Sequence, residues 1–307
     1  MKRLLDAFLL HLMTERYVSQ HTVDAYRRDI EQFIDFLTKT ASVQTFQSVT
    51  LQHIKDYLKH LKYVVKVSSR SASRKLSALK AFSNYLHIYH AVPLFTKGAI
   101  FPKLSKHLPK HLTEEQVHEI VMAAGQDASI LGQRNKMILC LLYACGMRVS
   151  ELVALNVDHI NFSEKYVQVM GKGNKERIIP IPAEVMILVQ RYLCNVYPQL
   201  IRSATSESKA DFLFPVVLRG QVVRLQRQTI AVIIKSLAQK AGLLHSVSPH
   251  VLRHSLATHL LKKGANLRVL QMLLGHEKLT TVQVYTHMDV SHLRELYDTY
   301  HPRSVIK

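Results

Sequence analysis

The sequence has no tryptophan, only three cysteines in 307 residues, and 22 acidic side chains against 41 lysines and arginines. Cys140, Cys145 and Cys194 are odd in number and lack Cys-x-x-Cys spacing, which predicts reduced thiols in a cytoplasmic protein. No apolar run reaches bilayer length. The longest, Met137 to Met147, predicts a buried core helix, so no membrane partner is expected. The opening MKRLLDAFLLHLM imitates a signal peptide, but Asp6 and His11 interrupt its apolar stretch and no small-residue cleavage site follows. Eighteen histidines invite a zinc reading, yet His-Glu-x-x-His and a tight carboxylate cluster are both missing, so no metal or other cofactor is expected.

What is present is a chain 48% hydrophobic, long enough for two cores, with a formal charge of +19. Such an excess of positive charge points to a polyanionic partner. The charge is uneven: between Lys39 and Lys110, 13 basic side chains face the single Asp56.

Residues 1–92 read as a helical domain of four helices. Leu5, Phe8, Leu9 and Leu12 mark one apolar stripe, and Val23, Tyr26, Ile30, Phe33, Ile34 and Leu37 another, with Ser19 and Thr50 as candidate N-caps. The fourth helix opens in SSRSASRKLSALKAF, where small residues around Arg70, Arg74 and Lys75 would let it approach a phosphate backbone; a solvated basic face is the alternative. Residues 93–112, with Pro93, Pro102 and Pro109, read as a linker, and residues 113–307 as a second domain. Thr113 with Gln116 forms a capping-box signature ahead of helices near 113–124 and 131–145. Tyr166 to Val169 and Glu176 to Ile181 alternate as strands of a hairpin around GKGNK; helices follow at 183–197 and 228–241, and Asp211 to Pro215 reads as a short strand or turn. The fold class is therefore mainly α with a small β-sheet.

The chemistry concentrates between Ser248 and His287. His250 and Arg253 lie three apart, on one helical face, so both can address one anion. Leu274-Gly275-His276 follows, then an isolated Tyr285. Upstream, Arg148 sits in ACGMRVSELVAL after the buried helix, where pairing with Glu151 is the bland explanation, and Lys172 sits in the hairpin turn with Lys175 as its rival.

The ordered set Arg148, Lys172, His250-x-x-Arg253, His276 and Tyr285 resembles the signature of the tyrosine recombinases, the DNA strand-exchange enzymes that include phage integrases and bacterial Xer recombinases. The resemblance covers nearly the whole chain, and Cys145 is a mild departure from the Thr or Ser usual before the glycine. It implies a core-binding N-terminal domain and a mixed α+β catalytic domain closing as a clamp on duplex DNA. Tyr285 would be the nucleophile, Arg148 and Arg253 would hold the non-bridging oxygens, His250 and His276 would assist, and Lys172 would be the acid for the leaving 5′-oxygen. It also implies tetramers on paired sites, with an identical or paralogous partner, and a terminal helix carrying Leu293, Leu296, Tyr297 and Tyr300 that is donated to a neighbour. Chromosome or plasmid dimer resolution is the leading role, leaving open regulation by a septal DNA translocase. The alternatives are an integrase of a mobile element, a type IB topoisomerase, and a catalytically inactive architectural DNA-binding protein.

Overall fold

The computed structural model describes residues 1–16, 18–102, 111–171, 176–205, 211–244 and 246–266, together with Leu270, Leu274, Tyr297 and 299–302. The chain divides into two units, Met1–Leu108 and Pro109–Lys307, each with its own apolar core.

The first unit holds α1 (Lys2–Thr14), α2 (Gln20–Lys39), α3 (Leu51–Tyr63) and α4 (Ser69–His90). Their 3.6-residue periodicity works as expected: α1 buries Leu5, Phe8, Leu9 and Leu12, and α2 buries Val23, Ile30, Phe33, Ile34 and Leu37. Tyr26 stays half-buried, whereas Phe36 and the carboxylate of Asp29, both off that stripe, go inside. Ser19 stands at the start of α2, but its hydroxyl meets that of Thr22 at 3.1 Å rather than a backbone amide. At the start of α3 the Thr50 N–H donates to His53 Nδ1 at 3.1 Å, and at the start of α4 Ser68 Oγ accepts from the Ser71 N–H. Beyond α4, Phe95 and Ala99 of the proline-containing stretch lie in this same core.

The second unit contains α5 (Glu114–Gly125), α6 (Ile130–Cys145), α7 (Val149–Val153), β1 (Ile160–Asn161), β2 (Tyr166–Met170), β3 (Glu176–Pro180), α8 (Ala183–Arg191), α9 (Tyr197–Leu200), β4 (Pro215–Leu218), β5 (Gln221–Arg224), α10 (Arg227–Lys240) and α11 (Pro249–Lys262). The capping box at α5 forms: Thr113 Oγ1 accepts from Gln116 N–H and Gln116 Oε1 from Thr113 N–H. Strands β1, β2 and β3 form an antiparallel sheet in that order, with Val167 opposite Ile179 and Val169 opposite Arg177. Opposed residues share a face, so Arg177 points to the buried side with Val167 and Val169. The β4–β5 hairpin goes beyond the short strand or turn expected at Asp211 to Pro215. Its two-residue turn, Arg219 and Gly220, has left-handed φ of 52° and 80°, and arginine is not among the residues that advertise such a turn.

Two sets of hydrogen bonds seat the ends of this unit. Leu112 is fully buried, and α11 satisfies both its backbone groups: its N–H donates to Ser255 Oγ at 2.8 Å, and its carbonyl accepts from His259 Nε2 at 2.8 Å. Because a carbonyl can only accept, Nε2 carries the hydrogen, and Nδ1 accepts from the Tyr143 hydroxyl at 2.8 Å. Burial lowers the His259 pKa, which favours this neutral tautomer. At the other end Tyr297 donates to the Ala144 carbonyl and its ring lies tilted against that of His301, with centroids 4.7 Å apart. In this structure Tyr297 thus lies in the core of its own unit and Tyr300 packs against it, while Leu293 and Leu296 lie outside the described residues.

Candidate active site

The site is built from the end of α6. That helix is apolar and wholly buried over its last nine residues, and it stops at Gly146, whose φ of 54° is left-handed. A β-carbon at Gly146 would meet methyls of Leu256 and Leu274 at 2.8 Å each, so glycine is required by both backbone and packing. The turn delivers Arg148 to the N-cap position of α7 with its side chain about one-third exposed, at 32%.

Glu151, one turn into α7, reaches back to this arginine. Its carboxylate accepts from the Arg148 N–H at 2.6 Å and from Arg148 Nη1 at 2.8 Å. The pairing is therefore real, but it is not the whole arrangement. Arg177 of β3 grips the same carboxylate in a fork, Nη1 to Oε1 at 2.6 Å and Nη2 to Oε2 at 2.9 Å, with both side chains almost fully buried. Burial alone would raise the Glu151 pKa, but the hydrogen bonds and charge of Arg177, with those of Arg148, outweigh it and hold it below the usual carboxylate range. Neither Glu151 nor Arg177 is singled out as a site residue by sequence. Glu151 was visible only as a partner for Arg148, and nothing local marks Arg177 beyond its place in a strand.

Arg253 comes in from α11, whose N-terminus is set by Ser248 Oγ accepting from the Val251 N–H and by Pro249 in the first turn. Arg253, expected to help hold the non-bridging oxygens, also has structural partners within its own unit. Its side chain is buried, Nη1 donates to the Gly146 carbonyl and Nη2 to the Leu274 carbonyl. One hydrogen of each terminal nitrogen is thereby committed to backbone, and the guanidinium braces the turn that presents Arg148. Its pKa is pushed down to about 10 by burial first and by the neighbouring charges of Arg148 and Arg177, against the opposing pull of Glu151. It remains a cation at neutral pH. His250, one turn earlier on α11, is exposed. The structure thus brings Arg148 and Arg253 together around Gly146, with Glu151 and Arg177 behind them. Lys172, Lys175, His276 and Tyr285 lie outside the described residues. Among the described residues no group of three His, Cys, Asp or Glu is placed to hold a metal ion, and no helix is long and apolar enough to cross a membrane.

At the basic opening of α4, the three candidate DNA-binding residues differ in exposure. Lys75 is buried: its Nζ donates to Asp29 Oδ1 at 2.9 Å and to Gln32 Oε1 at 2.6 Å. Arg74, half-exposed, pairs with the other oxygen of Asp29. A carboxylate sunk in α2 needs cations, and these two supply them. Arg70, one turn earlier on the same helix, is exposed.

Comparison with known proteins agrees with this architecture. Residues 110–292 match the phage integrase family, and residues 5–88 match the phage integrase N-terminal SAM-like domain. Tyrosine recombinase XerD of Pseudomonas aeruginosa is 40% identical, over 98% of this chain and 97% of its own length, and tyrosine recombinase XerC of Natranaerobius thermophilus is 36% identical, over 98% and 99%. Among solved structures, a lambda integrase dimer bound to a COC′ core site shares the fold at TM-score 0.67 and 18% identity, covering 92% of this chain and 99% of that one. XerH bound to its difH substrate does so at TM-score 0.66 and 21% identity, covering 91% and 80%. With an arginine turn built as above and full-length relatives at such identity, the chain belongs to the phage integrase family, among the Xer-type tyrosine recombinases.

Proposed function

We propose that this chain cuts and rejoins duplex DNA at specific paired sites through a 3′-phosphotyrosyl intermediate, as a Xer-type recombinase resolving chromosome or plasmid dimers. The observation that carries this reading is the pairing of two guanidiniums, Arg148 and Arg177, on the single carboxylate of Glu151, with the third, Arg253, bound to the Gly146 carbonyl of the adjoining turn, all within the matched phage integrase region. The net charge of that cluster is positive, and it sits where a phosphodiester gaining negative charge would be stabilised. In this reading Tyr285 attacks the phosphorus, Arg148 hydrogen-bonds a non-bridging oxygen, and Arg253 supplies fixed charge while bracing the Arg148 turn. His250 and His276 assist, His250 by helping remove the phenol proton, and Lys172 protonates the departing 5′-oxygen. The bond energy is kept in the tyrosyl link, so a second strand's 5′-hydroxyl can reverse the step.

The protomers act in a tetramer on paired sites in the cytoplasm, with an identical or paralogous partner, and a septal DNA translocase as regulator is the outermost part of the reading. The test is to incubate the full chain with nicked site DNA in EDTA and denature. A protease-sensitive protein–DNA adduct is expected, since no metal takes part. Cleavage lost in EDTA and restored by a divalent ion would overturn the mechanism, and DNA binding with no adduct on any nicked site would favour the architectural alternative. Mapping the chromosomal DNA bound in cells separates dimer resolution from mobile-element integration.

Binding to that DNA is expected to be salt-dependent. Arg70→Ala should flatten the log–log salt slope by about 0.9 if it removes one phosphate contact. Lys75→Ala should leave the slope alone and instead lower unfolding stability by about 1–3 kcal/mol, because Asp29 loses one of its two cations in the interior. Denaturant melts and binding isotherms across salt check both, and an unchanged slope in Arg70→Ala would remove this face from the DNA contact.

A further inference from the structure

We propose that Arg177 is a positioning residue for strand cleavage, acting through Glu151 to keep the guanidinium of Arg148 available to the phosphate. The inference rests on the reading of Arg148 as a phosphate-binding residue. Each oxygen of Glu151 accepts two hydrogen bonds, one from each arginine: Oε1 from Arg148 Nη1 and Arg177 Nη1, Oε2 from the Arg148 N–H and Arg177 Nη2. A carboxylate offers about four lone-pair sites, so this one is full. The preferred embrace of arginine and carboxylate is a two-bond fork, and here Arg177 holds the fork. Arg148 is left with a single guanidinium bond to Glu151.

Without Arg177, Glu151 would be a buried, half-satisfied anion facing Arg148. It would draw that guanidinium into the fork and away from substrate, and it would cancel the charge that catalysis needs. The register of the sheet explains how Arg177 reaches this place. Opposite Val169, it lies on the inward face of β3, while the β2–β3 connection holds Lys172. Arg177 thereby ties the hairpin bearing the candidate acid to the turn bearing Arg148. A buried ion pair is weak support for stability in itself, and here the Arg177 Nε is buried without a hydrogen-bond partner among the described residues. A pair kept despite that cost suits positioning better than packing.

The test uses the full chain on nicked DNA, with cleavage rate and DNA affinity measured separately. Arg177→Met should cleave about 10–100-fold more slowly, the usual effect of displacing a reacting group by a fraction of an ångström, with affinity nearly unchanged. Adding Glu151→Gln should recover part of the rate by removing the anion that captures Arg148. On a substrate whose scissile phosphate carries a methyl group in place of one non-bridging oxygen, less charge needs stabilising, so the deficit of Arg177→Met should shrink. An equal deficit on both substrates, with no recovery in the double variant, would overturn the inference and leave Arg177 a packing residue. If Arg177→Met fails to fold, Arg177→Lys decides, since it keeps the charge and loses the fork: wild-type cleavage by it would also overturn the inference. Full cleavage by Arg148→Ala would instead sink the reading beneath, whereas a dead Arg148→Ala beside an unaffected Arg177→Met would sink this inference alone.

Discussion

Tyr285→Phe should bind site DNA with the affinity of the parent chain and form no covalent protein–DNA product. The substitution removes one oxygen and keeps the ring, so an interface made mainly to phosphates should lose almost nothing, while the proposed nucleophilic oxygen is gone. Denaturing gels of nicked substrate measure the adduct, and salt-matched binding isotherms measure the affinity. Two other tyrosines near the arginine turn offer no substitute. Tyr143 is fully buried, hydrogen-bonded to His259, and its pKa is driven up by that burial; Tyr297 is buried and donates to the Ala144 carbonyl. Phenols so buried and already hydrogen-bonded are not placed to reach a phosphodiester, and burial further opposes loss of the Tyr143 proton. A phosphotyrosyl peptide recovered from Tyr285→Phe would therefore name a different, exposed nucleophile and refute the assignment.

The helices were legible because periodicity records which face of an element is buried. It does not record what lies across the gap. Asp29 falls off the apolar stripe of α2, and only the fold reveals that Lys75 and Arg74, some 45 residues on, come back to neutralise it. The same limit hid the support behind Arg148. Glu151 is near it in sequence, but Arg177 arrives from a strand 26 residues beyond that carboxylate, and Arg253 reaches the Gly146 carbonyl across 107 residues. The motif His-x-x-Arg predicted two groups three apart on one helix, and both lie on α11, His250 exposed and Arg253 buried. It could not report that burial behind the end of α6 would commit part of the guanidinium to two carbonyls. Turn chemistry was not legible where Arg219 took a left-handed conformation that other residues serve better.

Lys172→Ala is expected to cleave ordinary DNA about 10²–10⁴-fold more slowly, as loss of a general acid typically costs, and to regain much of that rate on DNA with sulfur at the bridging 5′ position. The β2–β3 connection runs from Met170 to Glu176 and contains both Lys172 and Lys175, so position alone does not choose between them. Chemistry does. An acid is needed because an alkoxide is a poor leaving group, whereas a thiol, with a pKa near 8.5 by analogy with cysteine, leaves as the anion without a proton. Only the residue that donates that proton should become dispensable on the sulfur substrate. Arg148→Ala should gain nothing from sulfur, because in the proposed mechanism its guanidinium serves a non-bridging oxygen whose charge develops whichever atom leaves. Single-turnover rates for the three variants on both substrates give the answer. Rescue of Lys175→Ala alone would transfer the role to that lysine, and equal rescue of Lys172→Ala and Arg148→Ala would mean that neither is acting at the leaving oxygen.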